Sequence, residues 1–414
     1  MRNRQGTNAM KQLGIGMAAA CLLLASGAWA EDKPTASGKL VPADATLTVE
    51  KRLGSETASE SFVSHGLQSQ KRKNGVAFSG DIYIDTGYES RGRALESEPD
   101  EEFWLQQGRF MLQVTPTFNS GQMFFKANAQ FLAHVDEVYG QENVDTDDAW
   151  VKFGQWGLWD VQVGRYEAWE VYHKGQGLER DTLEDLGAFD GPDIYEVNYA
   201  YYRQDGFGQA AFHLYPTDWL RFEVGGVFGN EQKSNDIGVR PAAILDFDFI
   251  KLKVAAEWRT RKHQEEGRKR KDDKYGVGGS LQFFLDGPGS IVPIQLGLNG
   301  AYGVVDKIAD DGRVDEKGSV DTLSMGAFMN VGLGSASLGL GYNHTIQGDR
   351  QLNEGKKGKF VHQQVFASIK HPIVVDQATA KLVFAYAKAD LQPSFENHRV
   401  NEMYSVRLRL LYSF

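Results

Sequence analysis

Tyr404-Ser-Val-Arg-Leu-Arg-Leu-Leu-Tyr-Ser-Phe414 is the stretch on which the reading of the whole chain turns. Tyr404, Val406, Leu408, Leu410, Tyr412 and Phe414 share one parity, and Ser405, Arg407, Arg409 and Ser413 share the other. Successive side chains of a strand point to opposite faces, so this segment has one apolar face and one cationic, hydroxyl-bearing face. Taken alone it fits a strand of a water-soluble sandwich as well as a strand of a membrane wall. Recurrence of the two-faced pattern decides between them.

The pattern recurs from Val76 onward. Phe78, Ile82 and Ile84 alternate with Asp81, Tyr83 and Asp85, and Phe110, Leu112 and Val114 with Arg109 and Gln113. Phe125, Ala127 and Ala129 alternate with Lys126, Asn128 and Gln130. Leu220, Phe222 and Val224 oppose Arg221 and Glu223, while Leu252, Val254 and Trp258 oppose Lys251, Lys253 and Glu257. Further on, Leu296 and Leu298 oppose Gln295 and Asn299, Met325 and Met329 oppose Ser324 and Asn330, and Val365 and Ile369 oppose Gln364 and Ser368. Many two-faced strands without helical segments argue for a closed barrel.

The connections alternate as well. Asn119-Ser120-Gly121, Gln155-Trp156-Gly157 and Gly334-Ser335-Ala336-Ser337 read as tight turns. Glu89–Phe103, Asp136–Thr146, Gln264–Asp273, Lys307–Ser319 and Asp349–Lys359 read as long polar loops. Short turns on one rim and long charged loops on the other belong to an outer-membrane barrel. Aromatic residues collect near strand ends (Trp104, Trp159, Trp169, Trp219, Tyr412, Phe414), where interfacial girdles sit. A bilayer offers the backbone no hydrogen-bond partners, so the sheet must close. About 17 candidate strands can be counted by period-two patterning. With both termini on the periplasmic side the number must be even. Sixteen is expected and eighteen is the alternative, with the ambiguity between Asp193 and Trp219.

Composition agrees. The 414 residues include 46 Gly, 16 Tyr, 24 Phe and 8 Trp but only 11 Pro, which suits strands and tight turns better than packed helices. The mean hydropathy of -0.42 is low, as alternation makes it in a barrel. Residues 1–30 have a basic start (Arg2, Arg4, Lys11), an apolar run and a terminal Ala28-Trp29-Ala30, and are expected to be a secretory signal cut after Ala30. Their loss removes three positive charges and no negative ones, so the net charge of -10 becomes -13. Cys21, the only cysteine, would leave with them, and no disulfide framework is expected. Residues 31–75 are polar and aperiodic, a periplasmic leader or linker. The barrel is expected over 76–414.

Phe78-Ser-Gly-Asp-Ile-Tyr-Ile-Asp85, Ala149-Trp-Val-Lys-Phe-Gly154, Val161-Gln-Val-Gly-Arg165 and the terminal Phe414, behind a signal segment, resemble the Gram-negative outer-membrane porins. The resemblance covers roughly residues 76–414. It implies an outer-membrane location, a likeness to trimeric pores, and recognition of the terminal aromatic strand by the barrel-assembly machinery. It implies contact with outer-membrane lipid and lipopolysaccharide, and a loop that folds into the lumen and narrows it.

That loop corresponds to Glu170–Asp193, which carries Glu170, Glu179, Asp181, Glu184, Asp185, Asp190 and Asp193. Folded inward, its carboxylates would face Arg109, Lys126, Arg221, Lys251, Lys253, Arg407 and Arg409 on the wall. Opposed rows of fixed charge make a transverse field that favours polar solutes over apolar ones. The expected function is passive diffusion of small hydrophilic solutes. A carbohydrate-selective pore would need a lumen-facing aromatic track, for which Tyr83, Phe124, Trp150 and Tyr202 are candidates. An anion- or phosphate-selective pore would need a local excess of bases. A non-transporting adhesin or structural barrel is the rival of another class.

Arg165 conflicts with the alternation, because Val161 and Val163 put it on the lipid side; a bulge or a rim position would resolve this. The basic runs Arg259–Lys262 and Arg268–Lys271 sit in a segment that also holds Glu265, Glu266, Asp272 and Asp273, and read as a solvated loop before a phosphate-binding patch. The nine histidines show no metal-ligand spacing, and no nucleophile elbow, dinucleotide fingerprint or phosphate loop occurs. No enzyme, cofactor, metal or nucleic-acid partner is therefore expected.

Overall fold

The computed structural model describes residues 74–92, 101–136, 141–169, 171, 208–231, 234–265, 268–285, 292–308, 314–351, 357–391 and 401–414. The expected signal segment 1–30, and all but the last two residues of the expected leader 31–75, lie outside them. The described residues form sixteen strands: β1 (Gly75–Arg91), β2 (Glu101–Ser120), β3 (Met123–Asp136), β4 (Gln141–Gln155), β5 (Trp159–Arg165), β6 (Gly208–Thr217), β7 (Leu220–Glu231), β8 (Ser234–Phe247), β9 (Ile250–Glu265), β10 (Arg268–Phe284), β11 (Ile294–Ile308), β12 (Val314–Leu333), β13 (Ala336–Gln351), β14 (Lys357–Pro372), β15 (Ala378–Leu391) and β16 (Asn401–Ser413). Each pairs antiparallel with its sequence neighbours, and β16 returns to β1, so the sheet is a closed barrel. Among the described residues the ambiguous interval before Trp219 holds one strand, β6, and the closed barrel has sixteen strands.

Closure runs through Tyr404–Phe414. β1 and β16 pair from Asp81↔Ser413 to Arg91↔Met403. Beyond that ladder Gly80 and Phe414 exchange two backbone hydrogen bonds of 3.0 Å each. A Cβ on Gly80 would lie 2.7 Å from the Phe414 ring and 2.2 Å from a backbone oxygen, so the ring needs glycine beneath it. By contrast, the β5–β6 ladder is short, running only from Trp159↔Leu214 to Val163↔Ala210.

Alternation sorts the side chains as expected. Ile82, Ile84, Val254, Leu298, Met325, Val365, Leu408 and Leu410 are exposed on the outer face, while Asp81, Asp85, Gln130, Lys251, Ser324, Gln364 and Arg409 are buried on the inner one. A membrane supplies the cover that the outer face lacks in isolation. On one rim the turns are tight, and Gly121, Gly157 and Gly334 take positive φ of 60°, 70° and 63°, a conformation that disfavours a Cβ. Exposed tyrosines (Tyr275, Tyr302, Tyr342, Tyr404) lie toward the opposite rim, and Trp219, Phe247, Phe249 and Phe414 toward the turn rim.

Two expected loops are largely ladder. β3 and β4 remain paired to Asp136↔Gln141, and β9 and β10 to Glu265↔Arg268, where Asp136–Thr146 and Gln264–Asp273 had read as irregular. Crossing the apolar band takes about 9–11 tilted residues. These strands are longer, and beyond the band both of their faces meet water. The hydrogen-bonded ladder continues there while the hydrophobic period disappears.

Arg165 lies at the outer end of β5, and its guanidinium donates to the backbone oxygens of Thr146 and Asp147. Those carbonyls lie at the break in the β3–β4 register between Ala129 and Phe131.

Candidate functional site

The inner face of the barrel is where the sequence-expected residues gather. All seven expected wall bases lie on it. Around the seam, Arg409 donates to both oxygens of Asp85 at 2.7 Å, and Arg407 lies 3.5 Å from the same carboxylate. Arg109 on β2 donates to Asp81, Nη2 at 2.9 and 3.1 Å. The Tyr83 ring takes Arg109 at 4.7 Å and Arg409 at 4.3 Å from its centroid. Bidentate charge-assisted bonds and guanidinium–ring contacts hold these side chains in fixed orientations.

On β7–β9, Arg221 and Lys251 share Asp246 at 3.1 and 3.2 Å. Lys126 and Lys152 stand directly opposite each other across β3–β4, with ammonium groups 5.9 and 5.6 Å from the Trp150 ring centroid. Lys152 also lies 3.5 Å from Asp160. Among the described residues, Lys126 and Lys253 make no ion pair. The expected basic wall thus carries many of its own counter-ions, on acids that sequence reasoning did not assign to it.

The expected acidic residues Glu170, Glu179, Asp181, Glu184, Asp185, Asp190 and Asp193 lie outside the described residues, and so does Tyr202. The root of that connection is described. Tyr166, Ala168 and Ala211 form one buried cluster against Trp150, and Val171 packs with Ala242 and Ala255. Ala211, Ala242 and Ala255 are inner-face residues of β6, β8 and β9. The chain after β5 therefore runs along the inside of the wall. Three strand spacings of about 4.8 Å are within reach of the five peptide steps from 166 to 171 at about 3.3 Å each.

This segment is held by a buried polar network. The Trp169 N–H donates to both oxygens of Glu223 at 3.2 Å, and Arg240 donates to the Trp169 carbonyl at 2.7 Å. Arg240 also donates to Glu223 at 2.9 Å. His213 Nδ1 lies 2.5 Å from Asp160 Oδ1, and its Nε2 lies 3.0 Å from Glu223 Oε2. The ring thus bridges the two carboxylates through both of its nitrogens. Tyr215 donates to Asp160 at 2.9 Å, and the Trp169 ring stacks on His213 with centroids 5.0 Å apart. His213, Glu223 and Arg240 are each no more than 1% exposed.

Of the expected aromatic track, Tyr83 and Trp150 face inward beside cations. Phe124 is buried and stacked on Trp156 at 4.2 Å. No group of three or more possible metal ligands occurs among the described residues.

A closed sixteen-stranded wall with an apolar outside, aromatic rims and a charged interior has the architecture of an outer-membrane porin. Sequence comparison agrees in class: residues 76–238, less than half of the chain, match the family model described as porin-like glycoporin RafY. Similar solved structures include the outer membrane channel DcaP of Acinetobacter baumannii, with a TM-score of 0.57 and 11% identity over 83% of this chain and 99% of that one. The anion-selective porin from Comamonas acidovorans gives 0.52 and 14% over 83% and 100%. The trimer form of OmpT from Vibrio cholerae gives 0.50 and 12% over 83% and 100%. At these identities the likeness is one of fold. No curated protein matches the chain by sequence.

Proposed function

We propose that the lumen is a water-filled passage for passive diffusion of small hydrophilic solutes, narrowed by the connection between β5 and β6. The observation that carries this is the course of Tyr166–Val171 along the inner wall of β6–β9. In this reading Glu170, Glu179, Asp181, Glu184, Asp185, Asp190 and Asp193 continue into the lumen and face the wall bases. Those bases are Arg109, Lys126, Arg221, Lys251, Lys253, Arg407 and Arg409. Arg109, Arg221, Lys251, Arg407 and Arg409 are held in place by wall acids, and together with Lys126 and Lys253 they set the field. Displacing ordered water there costs hydrogen bonds that a polar solute replaces and an apolar one does not.

Export with loss of residues 1–30, insertion through the assembly machinery by way of β16, contact with lipopolysaccharide at the loop rim, and a homotrimer complete the reading. The trimeric OmpT neighbour supports the last of these. Reconstitution in a planar bilayer tests the function. Stepwise conductance increments are expected, and their absence would sink the channel in favour of an adhesin or structural barrel.

A second reading, a carbohydrate-selective pore, has two supports. The matched family model is described as a glycoporin. The inner face of β10–β14 is built from amides and hydroxyls such as Gln282, Gln295, Thr322, Asn343 and Gln364. Block of the ion current by oligosaccharides is its signature.

A further inference from the structure

Arg240 and Glu223 present a donor and an acceptor side by side, much as a peptide group does at a strand edge. The backbone N–H and C=O of Trp169 dock onto them, the N–H at 3.2 Å and the C=O at 2.7 Å. The loop root is thereby paired to the inside of the wall by side chains, where the backbones of β7 and β8 are paired with each other. Behind Glu223 the chain of charges continues through His213 to Asp160 and on to Lys152, so the acceptor cannot swing away without breaking the next link. The Trp169 ring stacks on the His213 ring and covers it.

We propose that Glu223, Arg240 and His213 are positioning residues that latch the root of the β5–β6 connection to the inner wall and so fix the open aperture of the channel. The proposal rests on the channel reading above. Loss of a latch residue leaves the barrel closed, because none of the three contributes its side chain to the strand ladder. It frees the root to move, so the aperture fluctuates.

The experiment is single-channel recording of Glu223→Gln and Trp169→Pro, with heat-modifiable gel mobility as the check on folding. Glu223→Gln replaces an acceptor-only group facing three donors. Trp169→Pro deletes the docking N–H and the covering ring while leaving every strand residue in place, so it decides the matter if Glu223→Gln does not fold. Both are expected to broaden the distribution of conductance steps and to raise open-channel noise several-fold over the native protein.

A cysteine pair, Ala168→Cys with Ala211→Cys, placed within one buried cluster in a Cys21→Ala background, then supplies a covalent latch. In the Glu223→Gln protein the disulfide is expected to restore narrow steps and low noise, and reductant to abolish the rescue. Unaltered steps and noise in folded variants would overturn the latch, as would noise that persists with the disulfide formed. If the native protein itself gives no steps, the channel reading falls and the latch with it, an outcome distinct from a conducting native protein with silent variants.

Discussion

Two arcs of the same wall solve the problem of a polar interior in different ways. From β16 through β1 to β9 the wall buries Asp81, Asp85, Glu89, Asp160, Glu223, Asp236, Arg240, Lys251, Lys253, Glu257 and Arg409. From β10 to β14 the buried polar residues among those described are Ser, Thr, Asn and Gln, with His362 the one titratable group. The charged arc is held by fixed partners, such as Arg409 with Asp85 and Arg259 with Asp236 at 2.9 and 3.0 Å. The neutral arc is held by shape. Phe328 lies over Gly297, and Phe366 over Gly341, where a Cβ would come within 1.9 and 2.1 Å of the ring. Rings seated on cross-strand glycines pin register without any charge. Charge therefore gathers on the arc that meets the inner segment, and the far arc offers neutral hydrogen-bonding groups.

The largest losses are expected on the charged side. Arg240→Met leaves Glu223 buried without its guanidinium, and a loss of about 3–5 kcal/mol is expected; the denaturant midpoint for loss of the folded, heat-modifiable form measures it. Asp85→Asn is expected to cost less, about 2–3 kcal/mol, because the amide still accepts one bond from Arg409. It also removes a fixed negative charge beside two arginines, so the reversal potential in a salt gradient should move toward anion selectivity. An unchanged reversal potential would mean that the seam cluster lies off the ion path.

On the neutral side, Gly341→Ala is expected to lose about 1–3 kcal/mol by driving a methyl group into the Phe366 ring. Combining it with Phe366→Leu should recover part of that loss, whereas additive losses would contradict the seat-and-ring account. The smallest effect belongs to Ser324→Ala, which removes a 3.0 Å hydroxyl pair with Thr345. About 1 kcal/mol is expected, with no change in ion selectivity.

The sequence showed the fold wherever one strand face met lipid and the other met polar groups. Tyr404–Phe414 and Phe78–Asp85 are clear for that reason, and they form the seam as their patterns suggest. β6, in the interval that read ambiguously, was hard to read. Ala211 interrupts the polar parity of Gln209 and His213 where it packs against Ala168, so the alternation fades. Inner-face alanines mark the footprint of the segment lying on them, a signal that can be recognised once the strand phase is known.

Wall bases were legible as the polar parity of their strands. Their acid partners were not, because the pairing of Asp85 with Arg409 spans 324 positions and depends on closure. Nor was the network around His213: Asp160, His213, Glu223 and Arg240 come from four strands and no local motif joins them.

That network has a mechanical side. A barrel under lateral tension is a hoop, and a hoop fails at its weakest joint. The weakest backbone joint is not where first and last strands meet, since that ladder extends from Gly80–Phe414 to Arg91↔Met403. It is between β5 and β6, where the ladder ends at Val163↔Ala210. Asp160 on β5 grips His213 and Tyr215 on β6 at this joint, and His213 passes the load to Glu223 on β7. The ionic groups act there as a weld across a thin section of the hoop. A barrel stripped of them is expected to split along that line when pulled, leaving the seam intact.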